Sequence, residues 1–393
     1  MKALKLTKVI SVILMVCLVV TGLYVLTSCK VAVADEQTQT DTANSGDGQA
    51  SDQTDQTQTQ ETADTTTEQT EETTEEATAP TGVKPLHVKG TKLVDEDGKT
   101  VILQGPSLHG ISFTFWNSKG KETKATDYIS KAAFKTLKKD WHANTIRVPV
   151  YTEDYMGYCN GGSDNQKKML KSVYKAVDCA TELDMYVIID WHILSDGNPN
   201  NHKNEAKTFF KKMAKKYADH DNVIYEICNE PNGGVNWKDH IKPYAKTIVS
   251  TIRKYDDDAI IVVGTGTWSQ DVDQVIGNKL SDKNVMYSLH FYASTHGEWL
   301  IDRAQKAINK GVPIFITECS ICEASGNGSI NKTMANKWMK FIRKNYIPFI
   351  CWNLSNKNEA SSLIKESCTK KSGWTTKQLS ATGKWFRTKM RKK

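Results

Sequence analysis

Residues 83–393 of this 393-residue chain are predicted to form an α/β protein, a single (β/α)8 barrel of the TIM type. Three observations predict it. Eight apolar, strand-like runs alternate with amphipathic, helix-like runs; each strand-like run finishes on polar or aromatic residues; and no glycine-rich phosphate loop follows a strand. An open doubly wound sheet, the alternative, would usually carry such a loop. Parallel strands need crossover helices, and closing the sheet removes its edges. About 310 residues are long for one ordinary domain but suit a barrel.

At the start of the chain, Lys2, Lys5 and Lys8 precede an apolar run from Val9 to Leu26. This is the layout of a secretory signal or of an uncleaved membrane anchor helix, so residues 1–29 are expected to deliver the remainder to the outside of the cell. The run closes on "LTSC", and the small-residue pair before Cys29 resembles a bacterial lipobox, in which that cysteine is lipidated. Residues 30–82 hold thirteen acidic residues against one lysine and almost no bulky apolar side chain. Such a segment cannot bury enough surface to offset its ordering entropy, and an acidic, disordered linker is expected.

The whole chain is +7, the first 29 residues are +3 and residues 30–82 are −12, which leaves +16 on residues 83–393. That excess invites comparison with nucleic-acid binders. The lysines are scattered singly and in pairs, no nucleic-acid motif appears, and the leader directs the chain outward. A basic surface suited to an anionic envelope is expected, with no nucleic-acid partner. A monomer is expected.

Next comes "LHVKGTKLVDEDGKTVILQG", whose "EDGK" reads as a turn between alternating strands, a hairpin capping the barrel floor. The barrel strands are then "VILQGPSLHG", "ANTIRVPV", "MYVIIDWH", "VIYEICNE", "AIIVVGTGTW", "VMYSLHFY", "PIFITECS" and "FICWNLS". Between them lie helical patterns such as "MLKSVYKAVDCATELD" and "EAKTFFKKMAKKYADH". Seven cysteines fall in this region, an odd number at irregular spacing, which argues against a disulfide framework. "CSIC" at Cys319–Cys322 has the spacing of a redox or zinc pair, but no second such pair exists. No clustered metal-ligand spacing is present, so neither a metal nor any other cofactor is expected.

The strand ends read His109, Arg147, His192, Asn229 with Glu230, Trp268, His290 with Tyr292, Glu318, and Trp352 with Asn353. In a barrel all carboxyl ends open on one face, so these residues converge there. Glu230 and Glu318 are both glutamates closing apolar strands, on the fourth and seventh strand. Facing each other across the mouth, they could approach the ~5 Å that a retaining glycosidase requires. A glutamate against apolar walls keeps its proton; one held by an arginine stays ionised and can attack.

This constellation resembles glycoside hydrolase family 5, and its bacterial endo-β-1,4-glucanases in particular, over essentially all of residues 84–393. The resemblance rests on "HG" at His109, "RVPVY" ending at Tyr151, "DWH" ending at His192, "NEP" at Asn229–Pro231, "HFY" at His290–Tyr292, "TE" at Thr317–Glu318 and "CWNLSNKNEASS" from Cys351. It implies Glu230 as general acid and base, Glu318 as nucleophile, and Arg147 as the partner keeping Glu318 ionised. Asn229 would bind the 2-hydroxyl of the sugar at the cleavage point, and His290 and Tyr292 would position the glutamates. His109, Tyr151 and His192 would contact that sugar, Trp352 would stack beneath it, and Trp268 would offer a further platform. Lys357 and Glu359 match positions that bind the next sugar.

Two departures from the family pattern touch the cleft wall. Cys319 and Ser320 follow the nucleophile where an aromatic residue is common, and Phe113 stands where a tryptophan is frequent. The expected activity is therefore hydrolysis of internal β-1,4-glucosidic bonds with retention, by a protein held at a bacterial cell surface. The alternatives are the same chemistry on mannan, xyloglucan or mixed-linkage glucan, and a noncatalytic glycan receptor.

Overall fold

The computed structural model describes residues 82–116 and 120–392. The leader, Cys29 and nearly all of the acidic segment lie outside these residues. Among the described residues, no helix is long and apolar enough to cross a membrane.

An antiparallel hairpin of β1 (Leu86–Lys89) and β2 (Lys92–Asp95) comes first. Its tight turn is at Gly90 and Thr91, not at "EDGK", because Gly90 supplies the left-handed φ of 65° that a side chain resists. "EDGK" makes a second turn, closed by Gly98 N donating to Asp95 O and Val101 N donating to Leu93 O. Leu86 and Leu93 pack with Ile188, Ile224, Val262, Met286, Phe315 and Ile350, so the hairpin plugs the barrel floor as expected.

The first barrel strand is β3 (Gln104–Leu108); a small ribbon of β4 (Thr114–Trp116) and β5 (Glu122–Lys124) follows it. The other seven barrel strands are β6 (Thr145–Tyr151), β7 (Tyr186–His192), β8 (Val223–Glu226), β9 (Ile261–Val263), β10 (Val285–Tyr292), β11 (Ile314–Ser320) and β12 (Phe349–Leu354). Each pairs in parallel with its neighbours in sequence, and β12 returns to β3 to close the barrel. Every residue of β6, β7, β10, β11 and β12 is buried, as strands covered on both faces must be.

The outer helices are amphipathic for the same reason. Helix α1 (Lys131–Thr136) is short; α2 (Gly162–Thr181) buries Met169, Leu170, Val173, Ala176, Val177 and Ala180, a single 3.6-period stripe. Helices α3 (Lys203–Tyr217), α4 (Lys242–Ile252), α5 (Glu298–Asn309) and α6 (Lys332–Asn345) complete the ring. The last helix, α7 (Ala381–Met390), is capped by Ser380, whose Oγ accepts from Gly383 N at 2.9 Å. Arg387 and Arg391 of this region clasp Asp140 beside α1.

The fifth strand is shorter than its sequence suggests. It ends at Val263, and Trp268 sits five residues on, where Thr267, Trp268 and Ser269 take φ of 53°, 52° and 56°. Three consecutive left-handed residues cannot continue a strand. They turn Trp268 out to 47 % exposure.

Candidate active site

Alternation along the strands builds the site from the floor upward. Ile188 and Ile224 lie in the floor; two residues further on, Asp190 and Glu226 therefore also point inward, and two beyond Asp190 so does His192. Met286 leads in the same way to Ser288, His290 and Tyr292. On β11 the rhythm breaks. The pairing of β10 with β11 shifts between Ser288 opposite Phe315 and His290 opposite Glu318. This bulge inserts one residue, so both Thr317 and Glu318 reach the interior.

Arg147 is wholly buried at the centre of this layer. Its Nε donates to Glu226 Oε2 at 2.7 Å, and Nη1 donates to Glu318 Oε2 at 3.0 Å. Nη2 donates to Asn229 Oδ1 at 2.7 Å and lies 3.0 Å from Asp190 Oδ2. Tyr292 donates its hydroxyl to the other Glu318 oxygen at 2.6 Å. Burial by itself would raise the Glu318 pKa. The positive charges of His290 and Arg147 outweigh it and hold this carboxyl below its ordinary range. His290 thus joins Arg147 in a task the sequence assigned to Arg147 alone.

Glu230 has the opposite setting. Its Oε1 meets His290 Nδ1 at 2.8 Å. Burial, reinforced by the negative charge of Glu318, keeps its pKa above the ordinary value despite that imidazole. Oxygen atoms of Glu230 and Glu318 and a ring nitrogen of His290 all lie within 4.8 Å of one another. One acid that tends to keep its proton and one that tends to lose it face each other across a gap that fits a sugar C1 and its leaving oxygen.

The pair stands where two hollows meet. One, of about 580 Å³, is lined by His109, Tyr151, His192, Trp352, Lys357 and Glu359 together with Glu230 and Glu318. The other, of about 690 Å³, is lined by Trp268, Gln270, His290 and His296, again with Glu230. Gly110 accounts for the "HG" pair: a Cβ there would come 2.0 Å from the Tyr151 ring, so only glycine lets that ring close the wall. Burial lowers the pKa of both His109 and His192 to about 3, and both stay neutral. His192 stacks nearly parallel to Trp352, with ring centroids 5.6 Å apart.

Of the catalytic and substrate-binding residues the sequence singled out, Arg147 lines neither hollow, and nor does Asn229. Its Oδ1 is taken by Arg147, and its Nδ2 faces Ile193 O at 3.0 Å and His192 Nε2 at 3.3 Å. Lys357 pairs with Glu359 Oε2 at 2.6 Å and lies 5.1 Å over the Phe113 ring. Glu359 Oε1 also accepts from Asn353 Nδ2 at 2.9 Å. Trp352 and Asn353 are joined by a cis peptide.

Sequence reasoning missed Glu226, Asp190 and Tyr155. Glu226 was hidden in the run "VIYEICNE", although counting by twos from an interior position would have turned it inward. Tyr155 sits edge-on to Phe113 at 4.3 Å and to Tyr151 at 5.2 Å, and no strand pattern marks it. Apart from Glu230 and Glu318 with His290, one cluster with metal-binding spacing stands among the described residues: Glu153, Asp196 and His202. Its groups already tie two loops together, His202 Nε2 to Glu153 Oε1 at 2.6 Å and Thr152 Oγ1 to Asp196 Oδ2 at 2.8 Å.

A barrel whose mouth opposes a proton-holding glutamate to an ionised one, between hollows rimmed by aromatic rings, is the site of a glycoside hydrolase. Residues 94–358 match the family model Cellulase (glycosyl hydrolase family 5). The chain belongs to that family. It is 43 % identical over 302 residues to Endoglucanase A of Butyrivibrio fibrisolvens, which covers 77 % of this chain and 67 % of that one. It is 44 % identical over 306 residues to Endoglucanase 5 of Pectobacterium carotovorum subsp. carotovorum, covering 78 % and 57 %. The chain thus spans roughly three fifths to two thirds of the length of these relatives. Among solved structures, the catalytic domain of Thermobifida fusca endoglucanase Cel5A superposes with a TM-score of 0.71 at 32 % identity, covering 78 % of this chain and 97 % of that one.

Proposed function

We propose that the chain is a retaining endo-β-1,4-glucanase. The observation that carries this reading is the spacing of Glu230 and Glu318, within 4.8 Å, which suits direct attack rather than an intervening water. The names of the relatives support the glucan substrate.

In the first step a Glu318 oxygen attacks C1 of the bound sugar as the bond from C1 to the leaving oxygen breaks. Glu230 gives its proton to that oxygen. In the second step Glu230 takes a proton from water, whose oxygen attacks C1 and releases Glu318, so two inversions restore the starting configuration. Arg147 and Tyr292 hold Glu318 in its attacking state. Asn229, packed on the same guanidinium, serves the 2-hydroxyl once the sugar displaces its weak contact with His192. Trp352, His109, His192 and Tyr151 cradle the sugar at C1, and Lys357 and Glu359 bind the next. Trp268 forms the platform across the cleft.

The pH profile of kcat/KM should be a bell whose acid limb, set by Glu318, lies below the ordinary glutamate range and whose alkaline limb, set by Glu230, lies above it. A single limb with no acid-side loss down to pH 2 would contradict this division of roles. Trp268→Ala should raise KM for long glucans roughly two- to tenfold, about 0.5–1.5 kcal/mol of stacking. Cleavage of an aryl cellobioside, which needs no platform beyond the bond, should change little. The substrate itself is tested by reducing-sugar release from carboxymethylcellulose, mannan, xyloglucan and mixed-linkage glucan. Strong mannan cleavage without glucan cleavage would overturn the choice.

The basic leader and "LTSC" support export with a lipid on Cys29, and the acidic segment would then act as a spacer between envelope and barrel. Mass spectrometry of the mature amino terminus tests this. A terminus carrying an unmodified Met1 refutes the lipid.

A further inference from the structure

We infer that Thr317 is a positioning residue for the acid/base glutamate: it links buried Glu226 to His290 and thereby fixes which imidazole nitrogen faces Glu230. The inference rests on the proposed role of Glu230.

The argument follows from counting donors. Glu226 is fully buried and bonded to the Arg147 guanidinium, and although burial opposes its charge, Arg147 and His290 bring its pKa down to about 2. An ionised carboxylate only accepts. Thr317 Oγ1, 2.6 Å from Glu226 Oε1, must therefore donate its single proton there. Ser288 Oγ and His290 Nε2, the latter 3.0 Å away, are then left to donate to Thr317. This hydrogen-bond network assigns a proton to Nε2. Nδ1 is the nitrogen left for Glu230, 2.8 Å away, where it takes up or returns the proton that Glu230 exchanges with the substrate. The bulge in β11 is what brings Thr317 and Glu318 to the interior side by side, the first to serve Glu230 and the second to act as the nucleophile.

The groups facing His290 are Glu230 and Glu226 from the β8 segment, Glu318 with Thr317 from β11, and Arg147 from β6. Asp190 and His192 on β7 and His296 beyond β10 complete the surroundings. Burial opposes a charge on His290, yet Glu226 and Glu230 raise its pKa to about 9. Glu226 Oε1 also lies 3.9 Å from His290 Nε2, so removing the Thr317 hydroxyl weakens its hold without ending it; the imidazole binds a proton less firmly and the His290–Glu230 pair gives up its shared proton at lower pH.

The test compares Thr317→Val and Thr317→Ser on soluble mixed-linkage glucan. T317V should lose roughly 10- to 100-fold in kcat with KM within about twofold, and the alkaline limb of kcat/KM should move down by about one pH unit. T317S, which keeps the hydroxyl, should recover most of the rate and the wild-type limb. A T317V protein with wild-type kcat and limb overturns the inference. Independently of any variant's folding, 15N spectra of the wild-type imidazoles, with His290 assigned by loss of its signals in H290N, read the tautomer. Read above pH 9, where the ring is neutral, a proton on Nε2 supports the relay and a bare Nε2 overturns it. A wild-type protein inert on every glucan would refute the glucanase reading and leave this spectrum to decide the relay.

Discussion

Replacing Glu318 with Ala is expected to lower kcat on a soluble β-glucan by roughly ten-thousand-fold or more, while polymer binding stays within a few-fold. Its carboxylate is kept ionised and held beside Glu230 by two fixed donors, Arg147 and Tyr292. Removing it leaves the acid, the aromatic walls and the Lys357–Glu359 pair in place, so what is lost is bond formation and not recognition. An activated aryl cellobioside should fare no better, since a good leaving group relieves the need for an acid and not for a nucleophile. Glu230→Ala should show the contrast, with polymer hydrolysis lost and the first step on the activated substrate largely kept. Steady-state rates on both substrates for both variants check the assignment. Undiminished hydrolysis by the Glu318 variant would remove the foundation of the mechanism.

The second large effect belongs to Arg147→Leu. One guanidinium binds Glu226 and Glu318 and lies against Asp190, all deeply buried. Cutting out the partner of buried charges costs about 3–5 kcal/mol, because the charges left behind keep their desolvation penalty. Melting temperature should therefore fall well outside the range of surface substitutions, and activity should fall with it. The pH dependence gives the sign. A carboxyl whose folded pKa is depressed adds stability above its unfolded pKa, and that stability is lost as pH falls through the folded value. Glu318 is such a group, so the wild type's advantage over Arg147→Leu should be greatest near neutrality and shrink in acid. Melts at pH 3 and pH 7 measure this. An advantage that grows on acidification would show that the guanidinium is not what holds Glu226 and Glu318 ionised.

Much of the barrel was legible because its causes are local. Strands buried on both faces must be apolar throughout, and helices lying on a sheet must carry one apolar stripe, so composition alone spaces the units. The convergence of Glu230 and Glu318 was legible for a related reason: a carboxylate closing an apolar strand is costly, and two of them call for a common explanation. What escaped depends on geometry between strands. Glu226 sits inside a strand, and its purpose exists only once Arg147 and Thr317 arrive from β6 and β11. The bulge that turns Glu318 inward is a mismatch of register between β10 and β11, to which neither strand's letters testify alone. Trp268 was placed at a strand end because it closes the run "AIIVVGTGTW"; three left-handed residues put it on a turn instead. The hairpin turn moved for a simpler reason, since Gly90 with Thr91 and Gly98 compete for the tight turn and "EDGK" is the louder signal.

The seam between β12 and β3 has a consequence for how the protein is made. Some 240 residues separate the two strands that meet there, and α7, clasping Asp140, follows both in sequence. A nascent polypeptide cannot complete this ring until Leu354 has been made, and until then two strand borders stay open to stray pairing. Synthesis of the first barrel strand and closure of the ring are thereby separated in time.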